Sequence, residues 1–289
     1  GECDQLVLID INKEKALGEA MDLNHGLPFA KRNMLIYAGE YSDCFDADIV
    51  VIAAGVGQKD GEDRISLLTR NYEVFKSIIN PIVESGFEGI FLVATNPVDI
   101  MTKITLELSG FNPSRVIGSG TTLDTARLRY LLGDYFSIDP RNVHAYVIGE
   151  HGDSEIVPWS QAYITTKKVH DIIDSSNGRF SFDDIYKLSK DVTGAAQKII
   201  KAKSATYYGI GMALVRIVRA IFGDEKSALT VSVFLKGQYG VTDVYAGLPA
   251  IIGGNGIEDI IVLDLKENER TAFIKSCEFL KQTAKEIGF

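Results

Sequence analysis

Three apolar stretches, each followed by polar or glycine residues, constrain the fold of this chain most. They cover residues 5–11, 48–54 and 90–95, and helical patterns over residues 13–23 and 64–85 separate them. Strands that are apolar along their whole length are buried on both faces of a parallel sheet. We therefore expect an α/β fold with a doubly wound parallel sheet whose strand ends carry the ligand site. Pro81 is expected to bend or break the second helix.

The second half of the chain has a different character. A helix is predicted over residues 121–133, a strand over 144–148, helices over 183–203, 204–222 and 267–287, and strands over 228–235, 244–252 and 260–265. This mixture predicts an α+β domain. We expect a dinucleotide-binding domain over residues 1–118 and a substrate-binding, catalytic domain over residues 119–289.

Composition excludes several classes of function. The 289 residues carry a formal net charge of -9, which argues against nucleic-acid and anionic-membrane partners. Cys3, Cys44 and Cys277 are far apart and only four histidines are present, so neither a disulfide framework nor a metal site is expected. No apolar run is long enough to span a bilayer, and no signal peptide is visible. We expect a cytoplasmic protein.

Asp10 ends the first apolar stretch, in the place of the acid that binds a ribose in dinucleotide-binding folds. A Gly-x-Gly-x-x-Gly turn lies roughly 20 residues before such an acid. The nine residues that precede Asp10 contain no such turn. Either Asp10 is an ordinary strand-end acid, or the sequence lacks the first strand, glycine turn and helix of such a fold. The apolar stretches that follow favour the second interpretation.

His151 lies between two glycines in the sequence Gly-Glu-His-Gly-Asp-Ser-Glu of residues 149–155. A histidine after a strand, beside glycines that admit a ligand, is suited to proton transfer near neutral pH. Upstream, Asp124 and Arg127 are three residues apart on a predicted helix and so face the same way. Each feature alone is ordinary, as a solvated histidine or a surface ion pair. Together they predict a 2-hydroxyacid dehydrogenase site, in which a carboxylate orients the histidine and a guanidinium binds the substrate carboxylate.

The whole chain resembles the bacterial L-lactate dehydrogenases, without their amino-terminal Rossmann strand and glycine loop. The matching segments follow one another in order from residue 5 to about residue 260. They are Leu8-Ile9-Asp10, Asp22-Leu23-Asn24-His25-Gly26, Ala54-Gly55-Val56-Gly57-Gln58-Lys59, Thr95-Asn96-Pro97-Val98-Asp99, Gly118-Ser119-Gly120-Thr121, Leu123-Asp124-Thr125-Ala126-Arg127, Gly149-Glu150-His151-Gly152-Asp153, Ala205-Thr206-Tyr207-Tyr208-Gly209 and Gly237-Gln238-Tyr239-Gly240.

This resemblance implies reversible hydride transfer between NADH and pyruvate, which gives L-lactate. The catalytic residues it implies are His151 as proton donor and acceptor, Asp124 as its partner, and Arg64, which polarises the carbonyl when its loop closes. The substrate-binding residues it implies are Arg127, Gln58, Asn96 and Thr206. The cofactor-binding residues it implies are Asp10, Ala54, Gly55, Thr95, Asn96 and Ser119. The neutral Ile11 and Asn12 beside Asp10 favour NAD over NADP, because they offer no charge to a 2′-phosphate.

Gln58 distinguishes the expected substrate from that of the malate dehydrogenases, which carry an arginine there for the second carboxylate of oxaloacetate. A neutral glutamine can face the methyl group of pyruvate without leaving a buried charge unpaired. Asp60 departs from the family, which usually has proline at that position. A malate or other 2-ketoacid dehydrogenase of the same fold stays an alternative, as does a truncated remnant without catalytic activity.

Arg129 lies two residues after Arg127 and points about 200° away from it around an ideal helix. It is expected to face a neighbouring subunit, with His144 nearby on the strand before the histidine loop. In the allosteric members of the family, an arginine and a histidine at these positions bind fructose 1,6-bisphosphate across a two-fold interface. The resemblance therefore implies a homotetramer that this sugar bisphosphate activates; a solvated Arg129 and a packed His144 are the simpler alternative.

Overall fold

The computed structural model describes residues 2–57, 61 and 63–289, with the backbone alone at Arg64. Its strands are β1 (Gln5–Leu8), β2 (Leu35–Ala38), β3 (Ile49–Ile52), β4 (Ile90–Val93), β5 (Val116–Gly118), β6 (Val143–His144), β7 (Tyr163–Ile164), β8 (Lys167–Lys168), β9 (Ser227–Lys236), β10 (Thr242–Gly253) and β11 (Gly256–Ile260). Its helices are α1 (Lys13–Gly26), α2 (Arg64–Glu84), α3 (Val98–Ser109), α4 (Thr122–Phe136), α5 (Val169–Asp174), α6 (Phe182–Lys203), α7 (Tyr208–Phe222) and α8 (Glu267–Lys285). Strands and α-helices alternate from β3 to α4, as the apolar stretches predict, whereas a 3₁₀ turn connects β2 to β3.

The central sheet has the strand order β11-β10-β9-β5-β4-β3 among the described residues. Strands β3, β4 and β5 pair in parallel, and β9, β10 and β11 pair antiparallel. A single residue pair, Gly118 with Ser232, joins the two parts. Strands β1 and β2 form a parallel sheet of their own, and β6, β7 and β8 form a small antiparallel one. The expected α/β class, with a parallel sheet followed by a mixed second half, is confirmed.

Polar side chains fix the starts of the helices that lead away from the sheet. The side chain of Asn12 accepts the Lys15 backbone N–H at 3.1 Å at the start of α1. Asp63 accepts the Ser66 backbone N–H at 2.9 Å at the start of α2. Both residue types are preferred at this position, because they satisfy an N–H that the helix itself cannot bond. Gly110, with φ of 68°, ends α3 in the left-handed conformation that glycine adopts most easily.

The main hydrophobic core crosses the expected domain boundary at Gly118. It contains Phe91 and Ile117 from the parallel strands together with Val233 and Leu248 from β9 and β10, all fully buried. A smaller core is built from α4, α5, α6 and the strands β6 and β7 of the small antiparallel sheet. The second half thus shares the central sheet and the main core with the first half. The smaller core lies within the second half alone. The boundary itself stays a prediction.

The prediction of a strand over residues 260–265 is wrong, because β11 ends at Ile260. A tight turn joins β10 to β11, so the pairing begins directly after the turn, at Gly253 with Gly256. Beyond Ile260, the backbone N–H of Leu263 donates to the Tyr239 hydroxyl at 2.8 Å. Leu263 also packs against the main core. Apart from one backbone hydrogen bond, from the Ile261 N–H to the Pro249 carbonyl of β10 at 2.8 Å, this apolar stretch therefore contributes to packing and not to the sheet.

Two other elements differ from expectation. Helix α2 continues past Pro81 to Glu84, so the proline does not break it. Pro81 lies in the last turn, where a missing N–H removes only one bond. The strand expected over residues 144–148 is shorter: β6 ends at His144, and further along Ile148 forms an isolated bridge with Ile156. Within the described ranges, no helix is both long enough and apolar enough to cross a membrane.

Candidate active site

The residues expected to bind a dinucleotide lie where the parallel strands end. Thr95, two residues beyond β4, donates through its hydroxyl to the Ala54 carbonyl beyond β3, at 2.7 Å. Ser119, directly beyond β5, donates its backbone N–H to the Val93 carbonyl at 2.8 Å. These contacts hold three neighbouring strand ends together at one edge of the sheet, which is where open α/β sheets bind ligands. The candidates beyond these strands are Ala54, Gly55, Thr95, Asn96 and Ser119.

Gly55 occupies a place where a side chain does not fit. A Cβ there would lie 2.7 Å from Thr95 Cγ2 and 2.9 Å from Asn71 Oδ1. The buried Asn71 also accepts the Val56 backbone N–H at 2.9 Å, which fixes the turn. Ala54 and Gly55 are themselves exposed. The strand end therefore presents bare backbone to a ligand, as glycines do in dinucleotide sites.

Asp10 lies at the end of the separate β1–β2 sheet, just before α1. Its Oδ1 accepts the Asn12 backbone N–H at 2.9 Å, and its Oδ2 pairs with Lys15 at 3.2 Å. The hydrogen bonds from Asn12 and Lys15 lower the pKa of Asp10. The carboxylate is therefore ionised at neutral pH and is an acceptor for ribose hydroxyls. Ile11 beside it is fully exposed.

Asp124 joins two side chains of complementary chemistry. Its Oδ2 lies 2.5 Å from His151 Nδ1, and its Oδ1 accepts a hydrogen bond from Arg127 Nη1 at 2.8 Å. The side chains of Asp124 and Arg127 are 2% and 15% exposed, and that of His151 is 23% exposed. A carboxylate that binds Nδ1 leaves Nε2 directed elsewhere, which fixes the ring orientation for proton transfer.

Two side-chain hydrogen bonds connect the start of helix α4 to Val147, in the segment that precedes His151. The Thr121 hydroxyl donates to the Val147 carbonyl at 2.6 Å, and the Thr125 hydroxyl accepts the Val147 N–H at 2.9 Å. All three residues are buried. Because Thr121 and Thr125 bracket Asp124 in the first turn of the helix, these bonds set its distance from His151.

The backbone of His151 is held by a buried carboxylate that the sequence analysis did not single out. The His151 N–H donates to Asp99 Oδ2 at 2.8 Å, and the Ser232 hydroxyl donates to Asp99 Oδ1 at 2.5 Å. Asp99 lies in the first turn of α3, two residues after the cis Asn96–Pro97 peptide. Burial raises its pKa to about 6, although the bonds from Ser232 and His151 act in the opposite direction.

The glycine before the histidine loop packs against two further elements. Gly149 has φ of 90°, and a Cβ there would lie 2.8 Å from Ser276 Oγ on α8. The Ser276 hydroxyl accepts the Glu150 backbone N–H at 2.9 Å. Gly149 also exchanges backbone hydrogen bonds with Gly247 of β10. A glycine is required here both by its positive φ and by this close approach.

The electrostatic environment keeps His151 protonated at neutral pH. Burial by itself lowers the pKa of the imidazolium. The hydrogen bond and the charge of Asp124 outweigh burial, and the charges of Asp99 and Glu155 act in the same direction. The net result raises the pKa of His151 to about 9. The ring can therefore act as a proton donor at physiological pH.

Glu155 is a third ionisable group beside this pair. Ligand atoms of Asp124, His151 and Glu155 all lie within 4.8 Å of one another. A histidine and two carboxylates are ligand types that metal ions use. Both Asp124 oxygens are already bound, however, by His151 and by Arg127. A cation would have to displace one of them, so the arrangement suits proton transfer better than metal binding.

The other expected substrate residues are not part of this cluster in the described chain. Asn96 is exposed beyond β4, and Thr206 is half-buried just before α7. Neither forms a hydrogen bond with Asp124 or His151 among the described side chains. Gln58 lies outside the described residues, and of Arg64 only the backbone position at the start of α2 is described.

The two residues expected to bind an effector lie on two elements that are in contact, Arg129 on α4 and His144 on β6. Arg129 Nε donates to the Ala145 carbonyl at 3.1 Å, and its guanidinium carbon lies 5.1 Å from the centre of the Tyr146 ring. His144, the neighbour of Ala145, is exposed. Arg127 instead points to Asp124, so the two arginines serve different sides of α4.

Sequence reasoning missed Asp99 and Glu155 as members of the site. Both stand inside segments that drew attention for other reasons, namely Asn-Pro-Val-Asp and the histidine loop. The available signal was an acid in the first turn of a helix that follows a buried strand. That pattern could not predict that Asp99 binds the His151 backbone, because the two residues are 52 positions apart.

Comparison with known proteins assigns the chain to a family. Residues 1–118 match the family model of the lactate/malate dehydrogenase NAD binding domain. Residues 121–288 match that of the lactate/malate dehydrogenase α/β C-terminal domain. The chain belongs to the lactate/malate dehydrogenase family. The predicted family, its NAD cofactor and an NAD-dependent oxidoreductase activity are thereby confirmed.

Individual members of the family are similar over nearly their whole length. The chain is 50% identical over 283 residues to L-lactate dehydrogenase 2 of Bacillus cereus, covering 98% of this chain and 90% of that protein. It is 51% identical over 283 residues to L-lactate dehydrogenase 2 of Bacillus anthracis, with the same two coverages of 98% and 90%.

Solved structures agree with this assignment. A lactate dehydrogenase from a Medee basin deep-sea metagenome library superposes with a TM-score of 0.98 at 51% identity, covering 100% of this chain and 92% of that one. The ligand-bound form of the minor L-lactate dehydrogenase of Enterococcus mundtii gives a TM-score of 0.96 at 42% identity, covering 99% and 90%.

Proposed function

We propose that the protein is an L-lactate dehydrogenase, which reduces pyruvate to L-lactate with NADH and catalyses the reverse reaction. The observation that carries this proposal is Asp124, which binds His151 with one oxygen and Arg127 with the other. The relatives of 50% and 51% identity carry the name L-lactate dehydrogenase, which confirms the activity expected from the sequence.

Three side chains divide the chemistry of the substrate. His151 donates a proton from Nε2 to the carbonyl oxygen as the hydride arrives, and takes it back from the hydroxyl in the reverse direction. Asp124 fixes the ring and stabilises the imidazolium. Arg127 binds the substrate carboxylate, because its planar fork can form two parallel hydrogen bonds with two oxygens.

The cofactor fits the edge formed by the strand ends. Asp10 would bind the adenosine ribose, and the exposed backbone at Ala54 and Gly55, with Thr95, Asn96 and Ser119 on the neighbouring strands, would line the rest of the site. The tight packing around Gly55 supports this placement, since it requires bare backbone there. When bound, the nicotinamide supplies or accepts the hydride.

Residues 58 and 64 complete the proposal from the family resemblance. Gln58 would face the methyl group of pyruvate, and Arg64 would polarise the carbonyl oxygen once water is excluded. Asn96 and Thr206 would line the same pocket. The side chains of Gln58 and Arg64 lie outside the described residues, and those of Asn96 and Thr206 form no described hydrogen bond with Asp124 or His151. These four roles therefore rest on the family resemblance.

Assembly and regulation are further proposals. Exposed apolar side chains on α1 and α7, such as Met21 (51%) and Met212 (67%), support a homo-oligomer, which the family resemblance puts at four subunits. Activation by fructose 1,6-bisphosphate is supported by the position of Arg129, which hydrogen-bonds to the neighbour of His144. Location in the cytoplasm stays a prediction.

NADH oxidation with pyruvate or oxaloacetate tests the function. We expect kcat/KM to be higher for pyruvate, and Gln58→Arg to shift the preference towards oxaloacetate, whose second carboxylate needs a cation. A higher kcat/KM for oxaloacetate in the parent would favour a malate dehydrogenase. Absence of turnover with either acid would identify a non-catalytic member of the family.

A further inference from the structure

Glu155 is an ionisable group that the proposed proton transfer does not use. It is half-buried four residues after His151, within the trio of ligand atoms that lie 4.8 Å or less apart. The Thr193 hydroxyl on α6 donates to its Oε1 at 2.6 Å. Among the side chains that the structure describes, no cation forms an ion pair with it, whereas Asp124 has one with Arg127 and another with His151.

The charges of this site balance differently with and without substrate. In the free site, Arg127 and protonated His151 face Asp124 and Glu155, and Asp99 lies behind the His151 backbone, so ionisation of both facing acids already leaves no excess positive charge. A bound 2-oxo acid brings another carboxylate. One acid must then become neutral, or the pocket carries an excess negative charge, which is unfavourable in a partly buried place.

Glu155 is the acid that can give up its charge. Asp124 binds both cations directly, Arg127 through Oδ1 and His151 through Oδ2, whereas Glu155 forms an ion pair with neither among the described side chains. Burial, and next the charge of Asp124, raise the pKa of Glu155 to about 7, although the Thr193 hydrogen bond and the charges of His151 and Arg127 lower it. An anion that arrives beside it raises this pKa further.

We propose that the carboxyl group of Glu155 controls substrate affinity, because it must be uncharged before a 2-oxo acid binds between Arg127 and His151. The inference rests on the proposed function, because it concerns the same pocket. Glu155 takes one proton from solvent when the substrate binds and releases it when the product leaves. The groups that face it are Asp124 and Arg127 from α4, His151 from its own loop and Thr193 from α6.

The pH dependence of kcat/KM for pyruvate reduction tests this proposal, measured at saturating NADH from about pH 5.5 to about pH 10. In the parent enzyme we expect a first fall above about pH 7, by about tenfold per pH unit, because the ionised Glu155 excludes the substrate, and a steeper second fall above about pH 9, where His151 loses its proton. Glu155→Gln keeps an acceptor for Thr193 without a charge. The first fall should therefore disappear, with KM low up to the second fall and kcat changed less than about twofold.

Two matched variants separate this effect from a structural one. Thr193→Val leaves the carboxyl group in place but removes the bond that stabilises its charged form, so the first fall should move to higher pH. Asp153→Asn removes an exposed charge from the same loop and should leave the profile unchanged. A first fall that persists in Glu155→Gln, in an enzyme that does reduce pyruvate, would overturn the inference alone. A parent enzyme that does not reduce pyruvate would overturn the proposed function, and the inference with it.

Discussion

The backbone N–H of His151 donates to a carboxylate oxygen of Asp99 at 2.8 Å. Asp99 belongs to the first half of the chain and His151 to the second, so this bond connects the strand end that would hold the cofactor with the residue that would transfer the proton. The side chain of Asp99 is almost inaccessible, with a residue exposure of 2%. The bond to Asp99 fixes the position of the His151 backbone, while the contact with Asp124 fixes the orientation of the imidazole ring.

Asp99 is therefore predicted to be a positioning residue. Asp99→Ala should lower kcat about tenfold or more and destabilise the fold by roughly 2–3 kcal/mol, because it removes a buried acceptor from two donors. Asp99→Asn should recover most of kcat, since its amide oxygen can still accept the His151 N–H. Ser232→Ala, which leaves the His151 contact intact, is the control. Steady-state kinetics beside thermal unfolding separate the two effects: a stable Asp99→Ala enzyme with parental kcat would exclude the role.

The ionisation of His151 predicts how turnover depends on pH. Pyruvate reduction needs the protonated ring, so kcat should be constant at neutral pH and fall only at about pH 9 or above, because kcat reports the enzyme–substrate complex, in which the bound carboxylate raises the His151 pKa further. The same raised pKa contributes stability that is fully present below the ordinary value of 6.5 and is lost as the pH rises through about 9.

Asp124→Asn should move the fall in kcat to lower pH by about two units, because burial then acts on the imidazolium without its compensating charge. Asp139→Asn is the matched control, since it removes an exposed acid that pairs with Arg141. Profiles of kcat against pH for the parent and both variants provide the measurement. If Asp124→Asn and the parent lose activity at the same pH, Asp124 does not set the His151 pKa.

The sequence predicted the elements of the site better than its contacts. The strands around residues 49–52 and 90–93 follow from continuous apolar runs, and the shared helix face of Asp124 and Arg127 follows from a spacing of three. The bond from His151 to Asp99 spans 52 positions and depends on how α3 packs beside the histidine loop. Periodicity carries no information on such pairs. The strand expected after Ile260 failed for a related reason, because a turn and not hydropathy set its register.

Arg127 is predicted to determine the affinity for the substrate carboxylate. Arg127→Lys should raise the KM for pyruvate about 100-fold with a smaller change in kcat, because a single ammonium cannot form two parallel hydrogen bonds. Arg129→Lys makes the same exchange two residues away on the same helix and should leave this KM unchanged without effector. Initial rates over a wide range of pyruvate concentration test the pair. Equal KM values in Arg127→Lys and the parent would remove Arg127 from substrate binding.

Arg129 is predicted to be required for activation by fructose 1,6-bisphosphate. The contact with Ala145 uses one of the five N–H donors of its guanidinium, the one on Nε. In a two-fold assembly, two copies of Arg129 and His144 would form a cationic cluster that repels itself until phosphate groups neutralise it. The effector should then lower the KM for pyruvate about tenfold in the parent, within the usual range of allosteric coupling.

Arg129→Gln should keep the KM of the unactivated enzyme at every effector concentration, whereas Arg141→Gln, which removes a nearby exposed arginine, should respond as the parent does. Titration of the effector at subsaturating pyruvate decides between these outcomes, and an Arg129→Gln enzyme that is activated as strongly as the parent would place the effector site elsewhere.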